Sequence, residues 1–531
     1  MKQENPLASA WVENSCADNS DHDTTFTPQI IEPQSQIETG SRERQPSQRD
    51  QLIACAATWV LWSDRVDAYA SITINNRVEH YAIRSSALRE RLINTFLIAT
   101  DKAPSTGALS EAIATLEAIA KGQGIIHKPA LRVGETAGKV YLDLCDATWR
   151  VVEIDDTGWR VISNTNCPVR FLRKPAMLPL PAPVARSNAG ALEEMRDQLN
   201  VNRTTWYLLL SALVDAFRPN TPKPVVRVSG EQGSGKTTLL ECCRRLIDPS
   251  QANLRSLPKE ERDLMISLDN AYILAFDNVS KIPDWLSDAF CRVSTGAGFA
   301  TRTLYANREE TVFSGLRPVF LNGIGNPVTR GDLADRLINI DLQTISEDKR
   351  KTVADIEAWF VTNQPVLLGE LLNIVATGLK NLPDVCLPGM PRMADFAKFA
   401  AATARAVGWT QEDFLRAYQE NRAKAVSGVF DDSATAQALM KVMAQRSELE
   451  CTATELLKEL TDAVDERQAR LLPKSASALS NDLQRLAPIL RATEGIEIGI
   501  MARKGERRGI RIEKIGKTPS SPSSELDSSA A

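Results

Sequence analysis

The sequence predicts an α/β protein with a central domain built around a glycine-rich loop, an N-terminal α+β domain and a C-terminal winged helix. Three observations predict this class. A β-branched run, Val225–Val228, breaks into glycines and continues into a helix-compatible stretch, Leu239–Ile247. Two further apolar runs end in polar residues, as the buried strands of a parallel sheet do. Finally, two helical patterns precede a basic β-hairpin pattern near the C-terminus.

The glycine-rich segment matches the pattern G-x-x-x-x-G-K-[ST] and lies between a predicted strand and a predicted helix, the context that a phosphate-binding loop requires. Its glycines let backbone N–H groups turn inward toward phosphate oxygens, and the following helix directs its positive end at the same anion. Lys236 adds a charge for the β- and γ-phosphates, and the Thr237 hydroxyl is suited to Mg²⁺. The candidate nucleotide-binding residues are Gly230, Glu231, Gln232, Gly233, Ser234, Gly235, Lys236, Thr237 and Thr238.

The partners of such a loop follow in chain order. The run Ala271–Phe276 is of buried-strand type and ends in Asp277-Asn278, where an acid holds magnesium-bound water. Asp277 and Thr237 are therefore the candidate metal ligands, although a turn aspartate after an ordinary core strand gives the same pattern. A third strand, Arg317–Leu321, ends in Asn322-Gly323. An asparagine there is suited to contact the γ-phosphate or the attacking water, although Asn-Gly is also a plain turn signal.

This order of motifs resembles the AAA+ type ATPases of superfamily III helicases, in particular the primase-helicase-like proteins of phages, poxviruses and mobile elements. The resemblance covers roughly residues 191–375 and is most specific at the loop. It implies a P-loop AAA+-like ATPase core, ATP and Mg²⁺ as cofactors, and a homo-oligomer in the form of a hexameric ring. It also implies that Asn322 is a sensor and that Arg336, in the segment Arg330–Arg336, is an arginine finger. The catalytic residues are then Lys236, Asp277, Asn278, Asn322 and Arg336.

The sequence departs from this family at one catalytic position. Many members carry a second acid after the metal-binding aspartate, whereas this chain has Asn278. An asparagine side chain can orient a water molecule but cannot accept its proton. The identity of the catalytic base is therefore left open by the sequence.

Composition indicates an ordinary globular protein that lacks a global nucleic-acid signature. Hydrophobic residues make up 43% and charged residues 24% of the chain, and the formal net charge is −4. Any nucleic-acid contact must therefore come from local basic patches. The nine cysteines contain no C-x-x-C pair and the three histidines are dispersed, which argues against a disulfide framework or a zinc site. With no apolar run of membrane-spanning length, the expected location is the cytoplasm.

The chain divides into six predicted segments. Polar composition predicts disorder for residues 1–50 and 518–531, because such stretches bury too little apolar surface to offset the entropy of ordering. An α+β domain of unknown role spans 51–186, with a hairpin, a helix and a meander, and a proline-rich linker over 175–183 closes it. The ATPase domain spans 191–375, with a helical pattern over 192–217 ahead of its first strand. A helical lid or spacer spans 376–430, and the winged helix spans 435–517.

Two regions offer candidate DNA contacts. Between the second and third strands of the core, Phe299–Phe313 predicts two strands. In the resembling helicases such a hairpin grips single-stranded DNA in the ring channel, and a hairpin that merely covers the sheet is an equal alternative. In the tail, one helix is suited to the major groove of duplex DNA and the basic turn to phosphates, although subunit packing is an alternative role. The candidate DNA-binding residues are Arg302, Tyr305, Arg308, Lys474, Asn481, Arg485, Arg503, Lys504, Arg507 and Arg508.

Taken together, these patterns predict an ATP-hydrolysing DNA replication motor, a ring helicase of a phage or mobile element. Two other classes remain open. One is an ATP-gated switch in defence or signalling, which hydrolyses ATP without translocation. The other is an origin-binding or regulatory ATPase, which binds DNA without unwinding it.

Overall fold

The computed structural model describes residues 46–185, 190–302, 310–313, 315–500 and 509–515. The described residues from Gln48 onward belong to one compact unit. The first helix begins at Gln48, two residues before the predicted end of the disordered tail.

The described part of the chain is mixed α/β. The helices are α1 (Gln48–Cys55), α2 (Ser86–Thr100), α3 (Thr106–Gly122), α4 (Ala191–Gln198), α5 (Arg203–Asp215), α6 (Lys236–Ile247), α7 (Glu261–Asn270), α8 (Asp284–Thr295), α9 (Gly331–Ala334), α10 (Val353–Asn381), α11 (Ala394–Thr403), α12 (Gln411–Asp431), α13 (Ala434–Met443), α14 (Ala453–Asp462), α15 (Glu466–Ala469) and α16 (Ala476–Glu494).

The strands form five sheets. They are β1 (Val60–Ser63), β2 (Ala68–Ile74), β3 (Arg77–Ala82), β4 (Val133–Thr136), β5 (Lys139–Asp143), β6 (Arg150–Asp155), β7 (Gly158–Ser163), β8 (Val225–Gly230), β9 (Leu274–Phe276), β10 (Phe299–Arg302), β11 (Glu310–Phe313), β12 (Val319–Asn322), β13 (Leu337–Leu342), β14 (Glu448–Thr452), β15 (Ile496–Ile500) and β16 (Gly509–Lys514). The sheet orders are β1-β2-β3, β4-β5-β6-β7, β13-β8-β12-β9, β10-β11 and β14-β16-β15.

The N-terminal region contains the predicted hairpin and meander. β2 pairs antiparallel with β3, with Tyr69 opposite Ala82, and β1 adds to the same sheet. Helices α1, α2 and α3 cover this sheet through a cluster that includes Leu92 and Phe96. The meander runs from β4 to β7 in sequence order. Most residues of β2, β5 and β6 are buried, so the apolar runs in these strands account for the agreement better than strict alternation does.

The meander shares one apolar core with the central region. A single cluster of buried side chains includes Val152 on β6, Trp206 on α5, Val226 on β8 and Phe396 on α11. The proline-rich segment joins this core through Leu180, which is buried. It is therefore a packed connection, and the region 51–186 does not stand apart from the rest of the core.

A buried ion pair joins the meander to the central sheet. The Nε atom of Arg132 donates to Asp248, 3.1 Å away, at the end of α6. The same guanidinium donates to the backbone carbonyls of Asp143, Leu178 and Pro249. In turn, the other carboxylate oxygen of Asp248 accepts from the backbone N–H groups of Tyr272 and Ile273, just ahead of β9. This pair therefore fixes α6 relative to β9.

The central sheet is parallel and buried. β8 pairs with β12 on one side and β13 on the other, and β12 pairs with β9. Its strands are rich in β-branched and other apolar residues because both faces are covered. Beyond β9, Arg255 makes a single parallel bridge to Phe276 and so extends the edge by one position. Strand β13 has no counterpart among the predicted strands. The strand predicted over 271–276 is shorter in the structure, because β9 begins at Leu274.

The helices differ from the predicted ones in two places. The stretch predicted as one helix over 192–217 forms α4 and α5, because Asn202 caps a new helix by accepting from the Thr205 N–H group. The helical patterns after residue 345 predict one helix over 353–360 and another over 365–379, whereas the structure has the single helix α10, which contains Pro365. Burial of consecutive turns of α10, including Leu367 and Leu371, favours its continuation past the proline.

Helix α10 holds the chain on both sides of residues 186–189. On one side, the Val184 N–H group donates to the Pro365 carbonyl, 2.9 Å away, and a Cβ atom at Gly369 would overlap the Val184 carbonyl. On the other side, the buried carboxylate of Glu370 accepts from the backbone N–H groups of Ala191 and Leu192. Glu370 thereby satisfies N–H groups at the start of α4 that have no intrahelical partner.

The C-terminal region follows the order α13, β14, α14, α15, α16, β15 and β16. Its own apolar cluster includes Leu439 on α13, Leu456 on α14, Leu483 on α16 and Ile512 on β16. The strand β14, which has no counterpart in the predicted winged helix, pairs with β16 and makes the sheet three-stranded. Thr452 begins α14 with a capping box, in which its hydroxyl and the Glu455 carboxylate each bond to a backbone N–H group.

Within the described ranges, no helix combines the length and the apolar character needed to cross a membrane. The eight described cysteines are free thiols.

The buried ion pair gives a stability prediction. Replacing Arg132 by Ala leaves the Asp248 carboxylate buried without its cation, which costs about 3–5 kcal/mol. Arg150→Ala, which removes a half-exposed partner of Asp146, is the matched control, and we expect a loss of about 1 kcal/mol or less. Urea unfolding followed by circular dichroism measures both. Equal losses in the two variants would contradict the anchoring role of Arg132.

Candidate functional site

The glycine-rich loop Gly230–Thr238 joins β8 to α6 at the carboxyl end of the central sheet. Three of its glycines have positive φ values: 147° at Gly230, 81° at Gly233 and 86° at Gly235. Gly230 is also crowded, because a Cβ atom there would lie 2.7 Å from both the Leu342 carbonyl oxygen and the Ser234 hydroxyl. Gly235 begins α6 without a side-chain cap, so the first turn of that helix keeps N–H groups for a ligand.

Lys236 lies across the loop. Its ammonium donates to the backbone carbonyls of Gly230, 2.8 Å away, and Glu231, 2.5 Å away. Glu231 is held in turn by the Thr344 hydroxyl, which donates to its carboxylate at 3.0 Å. Thr344, which follows the unpredicted strand β13, is not among the site residues predicted from the sequence. Two backbone carbonyls of the loop therefore hold the Lys236 ammonium within the loop.

Thr237 and Asp277 come together although they are 40 residues apart. The exposed Thr237 hydroxyl donates to a carboxylate oxygen of Asp277 at 3.3 Å. Asp277 follows β9 directly, and its backbone N–H group donates to the Arg255 carbonyl at 2.9 Å, so its position is fixed by the sheet edge. A hydroxyl beside a carboxylate is a donor set that suits Mg²⁺.

Asn278 and Asn322 meet beside this pair. The side-chain oxygen of Asn322 accepts from the Asn278 N–H group at 2.8 Å, and its backbone carbonyl accepts from the Val279 N–H group at 2.8 Å. Asn322 is only 2% exposed, and its Nδ2 group is buried with no hydrogen-bond partner among the described residues. A buried unsatisfied N–H group costs about 1–3 kcal/mol, so this one is unusual. Asn278 itself is exposed and has a φ of 56°.

Glu241 is a carboxylate near this group that is not among the residues predicted from the sequence. It lies on α6 one turn after Thr237 and is half-buried. Burial raises the pKa of Glu241, Arg245 opposes that change, and the charge of Asp277 adds to it. The only sequence signal for it is the i, i+4 spacing from Thr237, which places both residues on one face of the helix.

Arg336 lies at the opposite end of the sheet from the loop. Its backbone carbonyl accepts from the Val225 N–H group at the start of β8, whereas the loop begins at the end of that strand. Six residues of strand separate the two positions by roughly 17–20 Å. The Arg336 guanidinium donates to the Asp332 carbonyl at 2.7 Å and contacts the Cys291 sulfur at 3.5 Å. The structure therefore brings together Lys236, Thr237, Asp277, Asn278 and Asn322, and it separates Arg336 from them.

The candidate DNA-binding residues fall partly outside the described part of the chain. The predicted pairing of two strands over 299–313 is confirmed, since β10 and β11 run antiparallel with Arg302 opposite Glu310. Tyr305 and Arg308 lie outside the described residues, as do the tail residues Arg503, Lys504, Arg507 and Arg508, and the structure does not describe the Arg302 side chain. DNA contact by this set therefore stays a prediction.

The remaining three tail candidates are exposed. Lys474 precedes α16, and Asn481 and Arg485 lie on that helix. Arg485 forms an ion pair of 3.5 Å with Asp284 at the start of α8, so it faces the central region. Among the described residues, no three His, Cys, Asp or Glu side chains come close enough together to hold a metal ion. A metal at this site would therefore complete its coordination with other oxygen ligands, as Mg²⁺ does with phosphates and water.

Two segments of the chain match known families. Residues 195–423 match the model described as "Actinomycete integrative conjugative element replication protein", and residues 435–524 match "AICE RepA C-terminal domain". Over these segments the chain is similar to replication proteins of mobile elements. No curated protein matches the chain.

Solved structures of two other proteins are also similar. The apo structure of the NrS-1 C terminal region (305–718) is 14% identical, with a TM-score of 0.38, over 89% of this chain and all of that chain. Its A form gives the same identity and score over 87% and 98%. The X-ray structure of JCV Helicase is 12% identical, with a TM-score of 0.22, over 44% of this chain and 70% of that one. These identities and TM-scores are low, so the description of the fold rests on the strands and helices of this chain alone.

The crowding at Gly230 gives a testable prediction. Gly230→Ala adds backbone strain and also forces the new Cβ against the Leu342 carbonyl. Gly233→Ala is the matched control, because its φ is strained but no atom lies within 4 Å of the new Cβ. We expect Gly230→Ala to lower the free energy of unfolding by about 1–3 kcal/mol more than the control. Urea unfolding measures the difference, and equal losses would show that the close approach at Gly230 is unimportant.

Proposed function

We propose that this protein is an ATP-hydrolysing DNA replication motor of a mobile element, with the architecture of a ring-forming superfamily III-type helicase. The observation that carries the proposal is the convergence of Lys236, Thr237, Asp277 and Asn322 at the carboxyl ends of three adjacent parallel strands. Ligands of open α/β sheets bind at this edge. The match to replication proteins of conjugative elements supports the biological setting.

The residues present fit a nucleotide with Mg²⁺. The loop glycines have positive φ values, which let successive backbone N–H groups turn toward phosphate oxygens. The buried Nδ2 group of Asn322, which lacks a partner among the described residues, is a donor suited to a γ-phosphate oxygen or a water. Thr237 and Asp277 would hold the Mg²⁺, whose role is to neutralise charge on the β- and γ-phosphates.

Each side chain then has a distinct role. Lys236 exchanges the Gly230 and Glu231 carbonyls for phosphate oxygens, so its charge is positioned before the nucleotide arrives. Asn278 and Asn322 form one unit, because the side-chain oxygen of Asn322 holds the Asn278 N–H group. Together they orient the attacking water. Asn278 is assigned to water positioning and not to proton transfer, because a side-chain amide cannot accept a proton from the water.

The strand order supports an AAA+-like core and a shared active site. In the sheet β13-β8-β12-β9, with the Arg255 bridge as a fifth position, the strand bearing the loop is second from one edge. Arg336 immediately precedes β13, about the length of β8 away from the loop of its own chain. At that distance it acts on the nucleotide of a neighbouring subunit, which requires a homo-oligomer, and we propose a hexameric ring.

The C-terminal region is proposed to be a winged helix that binds duplex DNA. Its order of helices, with β14 joining β15 and β16 in one sheet, is that of a helix-turn-helix variant with a hairpin wing. Lys474, Asn481 and Arg485 would face the duplex, with the cations of residues 503–508 on phosphates. The hairpin β10-β11, with Arg302, Tyr305 and Arg308, would contact single-stranded DNA in the channel.

The ATPase activity is tested by removing single groups. Lys236→Ala should abolish nucleotide binding and lower turnover roughly 100-fold or more, because a preorganised cation is lost. Asp277→Ala should keep most of the binding but lose magnesium-dependent turnover. Lys102→Ala, an exposed lysine on the N-terminal region, is the control and should match wild type. Phosphate release and binding of a fluorescent ATP analogue are measured, with and without single-stranded DNA.

The outcomes of this experiment separate the functional classes. DNA-stimulated turnover together with strand displacement supports the motor. Turnover indifferent to DNA supports an ATP-gated switch, and ATP-dependent DNA binding without unwinding supports an origin-binding protein. Wild-type turnover in Lys236→Ala would contradict an ATPase of any kind at this site.

The shared active site is tested by mixing variants. Arg336→Ala should bind ATP as wild type does but hydrolyse it roughly 10³-fold more slowly, as expected for a missing arginine finger. Mixing it with Lys236→Ala should partly restore turnover, because some interfaces then pair an intact loop with an intact arginine. Arg416→Ala, an exposed arginine on α12, serves as the control. If no ratio of the two inactive variants recovers activity, Arg336 does not act across a subunit interface.

A further inference from the structure

Helix α16 has one face in the C-terminal apolar cluster and another face toward the central region. Leu479, Leu483, Leu486 and Leu490 recur at spacings of four, three and four, and they are buried in the C-terminal apolar cluster. Asn481, Arg485 and Ile489 recur every four residues on another face, which is turned toward α8, α9 and α12. Residues at this spacing lie one above the other along a helix. The second face is therefore continuous, and it contains the side chains that the proposed function assigns to duplex DNA.

Ile489 belongs to the apolar cluster of the central region and not to that of its own domain. It is 5% exposed and packs in the cluster that contains Leu333 on α9 and Val429 on α12. Gly331, the first residue of α9, provides the space for it, because a Cβ atom there would lie 2.8 Å from the Ile489 Cδ1 atom. Ile489 thus docks α16 on the central region, and Phe430 at the end of α12 packs against both apolar clusters.

The rest of the contact is loose. The ion pair between Arg485 and Asp284 is 3.5 Å long, and both side chains are more than half exposed, so it contributes little. Beside these contacts lies a cleft of about 1280 Å³ between α16 and the helices α8, α9 and α12. Acidic and basic side chains alternate in its walls, and Arg392 and Arg422 are already paired with Asp335. This mixed charge does not suit a polyanion, which argues that the cleft is a seam between domains and not a nucleic-acid channel.

The docked element is the one that leads to the proposed arginine finger. Arg336 follows Gly331 by five residues, and its guanidinium is held by the Asp332 carbonyl of α9. The connection from α12 to α13 is also short, since only Asp432 and Ser433 separate the two helices. A short connection and a loose seam allow the C-terminal domain to move as a unit about this point.

We propose that docking of α16 on α9 and binding of duplex DNA by α16 exclude each other, so that the docked C-terminal domain is an autoinhibited state released by duplex DNA. The proposal rests on the proposed function, since it requires that α16 be the DNA-reading helix. Asn481 and Arg485 are exposed, but Ile489 on the same face packs on α9, so a duplex that lies along the whole face must displace α9 from Ile489. Release then uncovers α9 and changes the surroundings of Arg336.

The test weakens the docking contact without touching the proposed DNA contacts. If the docked state is the more populated one, the observed affinity for duplex is reduced by the fraction of undocked protein. Ile489→Ala in the full chain should raise duplex affinity about tenfold, measured by fluorescence anisotropy at fixed salt. Val293→Ala is the matched control. It trims the same apolar cluster on α8, nine residues after Asp284, and should bind duplex DNA as wild type does. Loss of folding cannot imitate a gain in affinity.

A second measurement uses the unaltered protein. Amide hydrogen exchange should show α9 protected in the absence of DNA and faster exchange at residues 331–336 once duplex is bound. Equal duplex affinity in Ile489→Ala and wild type, or unchanged exchange at α9, would overturn the autoinhibited state and leave the proposed DNA-binding role standing. Failure of both proteins to bind any duplex would overturn the DNA-binding role itself, and the inference with it.

Discussion

The geometry of the candidate site depends on one buried carboxylate. Asp248 ends the helix that begins at Lys236, and it also holds the two backbone N–H groups that start the strand leading to Asp277. Asp248 therefore helps to keep the helix of Thr237 and the strand of Asp277 in register, together with the pairing of β8, β12 and β9. A buried carboxylate is stable only if its charge is compensated, and Arg132 provides that compensation from outside the central sheet. The site is thus assembled by the N-terminal region as much as by the loop itself.

This arrangement gives the N-terminal region a physical role that its sequence does not reveal. The guanidinium of Arg132 joins one carbonyl of the meander, that of Asp143, and one of the packed connection, that of Leu178, to the carboxylate of Asp248 at the end of the loop helix. On the other side of the meander, the Trp159 indole donates to Asn373 on α10 at 2.8 Å. The meander is therefore linked by hydrogen bonds to both α6 and α10.

The sequence predicted those parts of the fold that short stretches of neighbouring residues specify. The loop, the strand before it and the helix after it are specified by glycines, β-branched residues and a lysine within 25 residues. By contrast, the meeting of Asn278 with Asn322 and the distance between Arg336 and the loop depend on strand order, which no local pattern encodes. The strand β13 escaped prediction because it follows a charged turn and carries polar residues, and α10 was divided because Pro365 normally ends a helix. The sequence did not predict that Ile489 packs on the central region, since periodicity identifies an apolar face but not the partner that covers it.

The hold of α10 on Val184 and on Ala191-Leu192 has a consequence for the covalent chain between them. Both sides of residues 186–189 are attached to the same helix, one through the close crossing at Gly369 and the other through the Glu370 carboxylate. The peptide bonds of that segment consequently contribute little to holding the N-terminal region against the core. A chain cleaved there would stay together as a two-fragment complex, and the two halves could be produced as separate polypeptides that reassemble. The junction is therefore a natural position for splitting the protein or for inserting another domain.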